Sequence, residues 1–202
     1  MTSKLPEAIR KLARELAELP SIGPRQATRL AFFLVEQGEE AIRSLAKDID
    51  GLRGVKICAR CFFVHQNKEG LCDVCKNPAR RKDIIAIVEK ETDLMSLENT
   101  ERFNGRYLIL GPIPKTGLLQ EWQKLRLQGL KSFVQKELKG QATEIILALN
   151  PTSIGDFHAS MLTKELGQFT KKISRLGRGL PTGGEIEFAD DETLGNALDR
   201  RS

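Results

Sequence analysis

Apolar residues recur at helical spacing through the first fifty positions, and this pattern predicts three amphipathic helices. The first is expected over residues 6–19, where four apolar residues between Ile9 and Leu16 share one face. A turn follows, and Pro24 suits the first position of a second helix whose apolar period ends at Gly38. A third, shorter helix is expected at about 39–49.

The pattern changes from Asp83 onward, where short β-rich runs alternate with helical stretches. The runs IIAIV, YLIL and EIILAL are typical of buried strands, and the helical patterns lie near 93–100, 117–138 and 156–166. This alternation predicts a small, mainly parallel sheet and places the chain in the mixed α/β class. The last residues predict a Gly-rich loop, a short strand at 185–188, and a closing helix from Glu192 to Leu198 with Asp190 or Asp191 as its N-cap.

Composition limits the class of protein more than it identifies the function. With 202 residues, 40% of them hydrophobic, the chain can bury a core and should form one or two compact units. Its apolar runs are too short to cross a membrane, and its first residues do not resemble a signal peptide, so a cytoplasmic protein is expected. The formal charge of +5 suits an anionic partner without specifying which one.

Four cysteines form the strongest local signal. Cys58, Cys61, Cys72 and Cys75 make two C-x-x-C pairs, a spacing that lets two tight turns present four sulfurs to one zinc ion. A closed four-thiolate shell has no free position for water, so one structural zinc per chain is predicted, with an iron-sulfur cluster or buried free thiols as the alternatives. His65 is expected to be a surface loop residue rather than a ligand.

Zinc bound by four thiolates carries a net charge of −2, which neighbouring cations should offset. Six basic residues surround the cysteines in sequence, and several of them are expected to balance the cluster rather than contact a nucleic acid: Lys56, Arg60, Lys76, Arg80, Arg81 and Lys82.

The turn before the second helix is a candidate DNA contact. Gly23 could adopt a positive φ, so that the amides at the helix start would point outward toward an anion. Arg25 and Arg29 are four residues apart on one face and could bind successive phosphates. A helical hairpin with solvated arginines is the alternative.

The order of the motifs resembles the RecR family of recombination mediators. The stretches that carry the resemblance are LPSIGPRQATRLAFFLV, the two cysteine pairs, IVE, ALNPT and GLPTGGEIEFADDETLGNAL, and together they span nearly the whole chain. The resemblance implies a helix-hairpin-helix DNA-binding region at 1–55, a zinc module at 56–78, a Toprim domain at 79–176 and an oligomerisation element at 177–202.

The family also implies a function in recombinational DNA repair. Its members are expected to bind single- and double-stranded DNA as a clamp-like oligomer, a dimer that assembles into a tetramer, close to the nucleoid. RecO and, in many bacteria, RecF are the implied partners in loading RecA onto single-stranded DNA.

Toprim enzymes hold magnesium with a glutamate after the first strand and an Asp-x-Asp after a later one. Glu89 occupies the glutamate position, but the resemblance aligns the second motif with Asn150-Pro151-Thr152, so no enzymatic activity is expected. Glu89, Asp93 and Asp156 are instead candidate contacts for a basic partner such as RecO. A metal-dependent nuclease or topoisomerase-like enzyme that uses Glu89 and Asp156 is the alternative function, and a zinc-ribbon protein that binds RNA or proteins is a third.

Two further residues could suggest chemistry but are expected to have structural roles. His158 is predicted to face solvent from a helix, and Trp122 to lie in the core rather than stack on a base. Two stretches depart from the family pattern, GPIPKTG after Leu110 and SIGDFHASML after Thr152, and both fall on the expected partner surface.

Overall fold

The computed structural model describes residues 5–199 and residue 201. The chain divides into two compact units, Met1–Val55 and Lys56–Ser202. None of the helices in the described part is both long enough and apolar enough to cross a membrane.

Three helices form the described part of the first unit, residues 5–55, as the apolar periodicity predicts. They are α1 (Glu7–Ala17), α2 (Pro24–Glu36) and α3 (Gly38–Gly51), and a 3-10 turn at Leu52–Gly54 follows. Pro24 occupies the first turn of α2, where its missing N–H costs no hydrogen bond. Among the described residues of this unit, only Ala27 and Ala31 are fully buried. The described part of this unit therefore has a very small buried core.

The cysteine segment opens the second unit and contains little regular structure. A two-stranded antiparallel hairpin pairs β1 (Lys56–Ile57) with β2 (Val64–His65), and a single helical turn, α4 (Asp73–Lys76), carries the last cysteine. The elements that follow are β3 (Ile84–Val88), α5 (Glu91–Glu98), β4 (Arg106–Ile109), α6 (Glu121–Glu137), β5 (Glu144–Ala148), α7 (Ser153–Leu166), β6 (Ile173–Arg175) and α8 (Asp191–Asp199).

A four-stranded sheet forms the centre of this unit, with strand order β4-β3-β5-β6 and every neighbouring pair parallel. The mixed α/β class, the parallel sheet and three of its four strands are confirmed. The edge strand β6 was not predicted, because its residues are only half-buried and lack a run of β-branched side chains.

Alternate residues of β3 face two different apolar layers. Ile85 and Ile87 pack with α6 and α7 through residues such as Leu127 and Leu162. Ala86 and Val88 face the other side, where the buried cysteines and α5 cover the sheet. The cysteine module thus takes the place of a helix layer on one face of the sheet.

Several local predictions require correction. Residues 185–188 do not form a strand: Ile186–Phe188 is a 3-10 turn, because the described chain offers these residues no neighbouring strand with which to pair. Asp190 does cap the last helix, since its Oδ1 accepts a hydrogen bond from the Thr193 N–H at 2.8 Å.

Two predicted side-chain environments are also wrong. His158 does not face solvent but is fully buried, because its face of α7 packs on the sheet. Trp122 is not a core residue; it is 37% exposed. Its ring lies over Gly111, where an added Cβ would come within 2.1 Å of the indole, and the backbone φ of Gly111 is +94°.

Candidate metal centre and nucleic-acid interface

Two tight turns bring the four cysteines together. Cys58 and Cys61 flank the turn after β1, whereas Cys72 and Cys75 flank the start of α4. One sulfur from each cysteine lies within 4.8 Å of the other three, and all four side chains are buried. Tetrahedral zinc with bonds of ~2.3 Å requires sulfurs about 3.8 Å apart. The four cysteines are therefore arranged to bind a metal ion.

Backbone amides support the sulfurs in this arrangement. The Phe63 N–H donates to Cys61 Sγ, and the Cys72 N–H donates to Cys58 Sγ, each at 3.4 Å. The hydrogen bond from Cys61 lowers the pKa of Cys72, and the same bond raises the pKa of Cys61 far above that of a free thiol. Hydrogen bonds to and between the sulfurs therefore hold the ligand atoms close together, as a metal-binding site requires.

The cysteine module also pairs with one edge of the sheet. Strand β4 is an edge strand, and the Ile109 N–H on its outer side donates to the Cys61 carbonyl at 2.9 Å. Without this bond, part of the strand would present unpaired backbone groups. The first cysteine turn is thus fixed to the sheet by backbone as well as by apolar contacts.

The basic residues near the cysteines bind partners other than the sulfurs. Arg80 makes two hydrogen bonds of 2.6 Å to Glu98, and Arg60 donates to Glu137 at 2.9 Å. Lys76 pairs with Asp73, and Arg81 with Asp83. His65 is buried rather than on the surface, and its Nδ1 accepts the Asn67 N–H at 3.1 Å. It lies on the inner face of β2, whereas Val64 of the same strand is exposed.

The turn before α2 differs in one detail from its predicted geometry. Gly23 has φ −83° and ψ 164°, an extended conformation, and the residue with positive φ is Ser21 at 65°. The turn reverses two residues earlier than expected, and Gly23 serves as the N-cap of α2. Its carbonyl accepts the Ala27 N–H at 2.9 Å, which leaves the amides of Arg25 and Gln26 at the open helix start.

Arg25 and Arg29 are exposed on α2, one turn apart. Within the described residues, neither forms an ion pair. Two arginines of α3 and the turn after it are engaged: Arg43 pairs with Glu39, and Arg53 with Asp50. Arg10 and Arg14 of α1 also form no ion pair within the described residues, but they do not lie at the start of α2. The start of α2 therefore combines free amides with two available cations, which is the chemistry of a phosphate contact.

The carboxyl ends of β3 and β5 meet where a Toprim enzyme would hold its metal. Glu89 is 7% exposed, and its Oε1 accepts the Asn150 N–H at 2.9 Å. Thr152 caps α7 by accepting the Gly155 N–H at 3.1 Å. An added Cβ at Gly155 would lie 2.0 Å from the Asn150 carbonyl, so glycine is required there. The nearest partner of the Glu89 carboxylate is thus the neutral residue Asn150, where a Toprim enzyme would have an acidic metal ligand.

The other two acidic candidates have internal partners. Asp93 accepts the Lys90 N–H at 2.9 Å and so caps α5. Asp156 pairs with Arg178 and, at 2.5 Å, with Arg175. These two guanidinium groups, Arg178 first, lower the pKa of Asp156 to about 2. Sequence analysis missed this cluster, because Arg175 and Arg178 belong to no motif and lie far from Asp156 along the chain.

A parallel sheet with this carboxylate position, a four-cysteine metal module and an N-terminal helical hairpin defines a Toprim-containing protein of the nucleic-acid-processing class. Three family models match in order: "RecR, helix-hairpin-helix" at residues 9–52, "Toprim domain" at 83–177 and "RecR, C-terminal" at 179–202.

Whole-chain relatives agree with these matches. A protein named Recombination protein RecR from Roseiflexus castenholzii is 40% identical over 98% of this chain and 94% of its own length. Proteins of the same name from another Roseiflexus strain and from Frankia alni are 38% and 36% identical, over 98% and 96% of this chain and 94% and 95% of their own lengths. The chain belongs to the RecR family.

Proposed function

We propose that this protein is a non-catalytic DNA-binding mediator of recombinational repair, which acts as an oligomeric clamp and helps RecO and RecF to load RecA on single-stranded DNA. Membership of the RecR family supports a role in recombination and repair. The observation that carries the DNA-binding part is the exposed start of α2, where Arg25 and Arg29 flank free amides. Such contacts hold the phosphate backbone without reading base sequence.

A DNA-binding titration at several salt concentrations tests this assignment. The double variant Arg25→Ala/Arg29→Ala should bind both single-stranded and duplex DNA more weakly. Loss of two phosphate contacts should reduce the slope of log K against log salt by about 1.4 to 1.8. The matched control is Arg43→Ala/Lys47→Ala, which removes the same charge at the same spacing from α3. Equal losses in both variants would show that net charge, not the start of α2, determines binding.

The proposal that the Toprim domain is not catalytic is supported by its local chemistry. Glu89 is next to the neutral Asn150 and Thr152, and Asp156 is held by two arginines. Plasmid incubated with the protein and Mg²⁺ should remain supercoiled. Nicking or relaxation that Glu89→Gln abolishes would overturn this part and favour the enzyme alternative.

We assign zinc, one ion per chain in a structural role, to the four-cysteine site. Four cysteine sulfurs within 4.8 Å of one another, with no other ligand type among them, support this choice of metal. We also propose separate roles for the four segments: DNA binding for 1–55, metal binding for 56–78, the Toprim domain for 79–176 and assembly for 177–202. The three family matches, at 9–52, 83–177 and 179–202, support this division. Elemental analysis should give one zinc per chain; a stoichiometric iron content would contradict the assignment.

Assembly into dimers and tetramers is supported by apolar surface on the first unit. Leu12, Val35, Ile42, Leu45 and Ile49 are exposed and line a groove of about 290 Å³. Near the chain's end, Ile186 and Phe188 are also exposed. A second copy of the chain would cover such surfaces. Light scattering should give a tetramer mass, and Leu45→Ser/Ile49→Ser should lower it; a wild-type monomer at all concentrations would refute assembly.

Glu89, Asp93 and Asp156 remain our candidates for the contact with RecO. Asp93 and Asp156 are half-buried, and each is bound internally, so a basic partner would share or replace the existing bonds. Asp93→Asn/Asp156→Asn removes charge but keeps acceptor oxygens, and it should weaken RecO binding at low salt. Glu101→Gln is the exposed control; equal binding by all three proteins would exclude this surface.

A further inference from the structure

Arg106 is a buried arginine with no direct partner for much of its guanidinium. It lies on β4, is 4% exposed, and its Nε and Nη1 form no hydrogen bond within the described residues. Buried arginines are normally paired, because an unsatisfied charged donor is costly. Burial and repulsion from Arg60 lower the pKa of this guanidinium. Its environment therefore lacks an acceptor that its chemistry requires.

A cavity adjoins the side chain of Arg106. Its volume is about 170 Å³, and it is lined by parts of β4, α6 and the first cysteine turn. A water needs only about 10–15 Å³ of such space, so the cavity has room for a tetrahedral anion together with water. Arg60 and Arg106 both line it and both lie against the Phe133 ring, at 4.9 and 5.7 Å from its centroid. Two guanidinium groups thus converge on one small space.

The charges around the cavity decide which ligand it suits. Glu137 binds Arg60 at 2.9 Å and offsets one of the two positive charges, but Arg60 retains further N–H donors. With a metal bound, the sulfurs of Cys75 and Cys58 would carry negative charge near Arg106, but neither sulfur accepts a hydrogen bond from Nε or Nη1. Charge balance by the metal cluster therefore leaves the donors unsatisfied.

We infer that this cavity is a binding site for a phosphate group, with Arg106 as the principal ligand and Arg60 as the second. Forked guanidinium donors match the oxygens of a phosphate, and a partly enclosed, aromatic-lined wall strengthens such bonds by excluding water. The site belongs to the second unit and is separate from the DNA surface proposed on α2.

Titration with inorganic phosphate, followed by calorimetry and ³¹P NMR at constant ionic strength, tests the site directly. Saturable binding in the roughly millimolar range or tighter is expected, with acetate and chloride much weaker. Arg106→Gln should weaken phosphate binding about tenfold or more. Glu137→Gln should strengthen it severalfold, because it removes the competing carboxylate and frees Arg60. A purely structural role for Arg106 would not produce this opposite response.

Arg102→Gln is the matched control, since Arg102 is exposed, lies four residues before Arg106 and does not line the cavity. Circular dichroism and metal content verify that each variant is folded. If Arg106→Gln does not fold, the half-buried Arg60→Gln replaces it, with a severalfold loss expected. Absence of saturable phosphate binding, equal binding of acetate, or binding unchanged in the folded arginine variants would overturn the proposal.

The phosphate group could come from the end of a DNA strand or from free phosphate. Binding of two oligonucleotides that differ only in carrying a 5′-phosphate or a 5′-hydroxyl distinguishes these two sources. Tighter binding of the phosphorylated strand that is lost in Arg106→Gln assigns the cavity to strand ends. Equal binding of the two strands, together with Arg106-dependent binding of inorganic phosphate, assigns it to free phosphate. Neither result depends on Arg25 or Arg29, so the site can fail while the proposed DNA contact on α2 stands.

Discussion

At the scale of single residues, a tightly constrained position lies beside Glu89, where the segment that joins β5 to α7 approaches the end of β3. Gly155 lies against the carbonyl oxygen of Asn150, and the backbone N–H of Asn150 donates to Glu89. The hydroxyl of Thr152 accepts the Gly155 N–H and begins α7. A side chain at position 155 would therefore disturb both the helix start and the strand end.

Gly155→Ala should lower the free energy of unfolding by about 2 kcal/mol or more, because its Cβ would lie 2.0 Å from a backbone oxygen that cannot move aside cheaply. Urea denaturation measures the change. Gly167→Ala is the control: it lies at the end of the same helix, has ordinary helical φ, and meets nothing within 4 Å. It should be neutral or slightly stabilising. Equal effects at both positions would contradict the close approach.

Residue-scale prediction from sequence succeeded where the chemistry is local. The two C-x-x-C pairs predicted the cysteine cluster because sulfur ligands follow from spacing alone. It failed for His65, His158 and Trp122, because their burial depends on elements distant in sequence. For the same reason no motif indicated Arg106.

At the scale of elements, the cysteine module behaves as a packing layer. It covers one face of the sheet beside α5, and its backbone bonds to the free edge of β4. A segment with so little regular structure has few hydrogen bonds of its own to hold it there. Its order should therefore depend on the bound metal.

Removal of the metal should lower the free energy of unfolding of the second unit by roughly several kcal/mol. The loss should be smaller than the ~10–16 kcal/mol with which zinc binds small peptides, because the apolar contacts of the module persist without metal. Chelation, followed by thermal unfolding and hydrogen exchange, measures this effect. The Ile109 amide should lose protection early, since its acceptor is the Cys61 carbonyl. Restoration by added zinc is the control; an unchanged melting temperature after verified metal loss would contradict a structural role.

A second inter-element link joins α7 to the segment that precedes α8. Arg178 binds Asp156 of α7 and also Glu192 of α8, at 3.3 Å. It thus links the C-terminal helix to α7 through charged side chains.

This link predicts a specific loss of stability in acid. Arg178 and Arg175 hold the pKa of Asp156 at about 2 in the folded chain, whereas an unfolded aspartate titrates near ~3.9. The stabilisation is therefore complete above pH of about 4 and declines as pH falls toward 2. In the Asp156→Asn variant, the decrease in unfolding free energy between about pH 4 and pH 2 should be smaller by on the order of 1 kcal/mol, after allowance for solvent screening. Unfolding measured across this window should show no such change for Asp48→Asn, an exposed control.

Elements with strong periodicity were predictable, and elements defined by partners were not. The helices of the first unit and strands β3, β4 and β5 follow from apolar spacing. Strand β6 is short and half-buried, so its identity depends on pairing with β5. The strand predicted at 185–188 has the right alternation but no neighbour in the described chain, and the segment forms a 3-10 turn.

At the scale of the whole molecule, the two units differ greatly in how much apolar surface they bury. The second has two extensive apolar clusters, one on each face of its sheet. The described helices of the first fully bury only two alanines and leave an open apolar groove. A three-helix unit of this size is marginal unless another surface completes its core.

Unfolding in urea should therefore occur in two steps, with the first unit melting at the lower concentration. The chain's single tryptophan, Trp122, lies in the second unit, so its fluorescence reports that unit alone, whereas circular dichroism reports the helices of both. The dichroism signal should begin to fall before the fluorescence changes. If copies of the chain cover the groove, higher protein concentration should raise the midpoint of the first step only.

Leu45→Ser sharpens this test, because Leu45 lines the groove of the first unit and is 40% exposed. It should lower the first midpoint and remove its concentration dependence, while the fluorescence midpoint stays fixed. Lys47→Ser, an exposed change on the same helix that does not line the groove, should leave both steps unaltered. Transitions that superimpose for both probes at every concentration would show instead that the two units unfold as one cooperative structure.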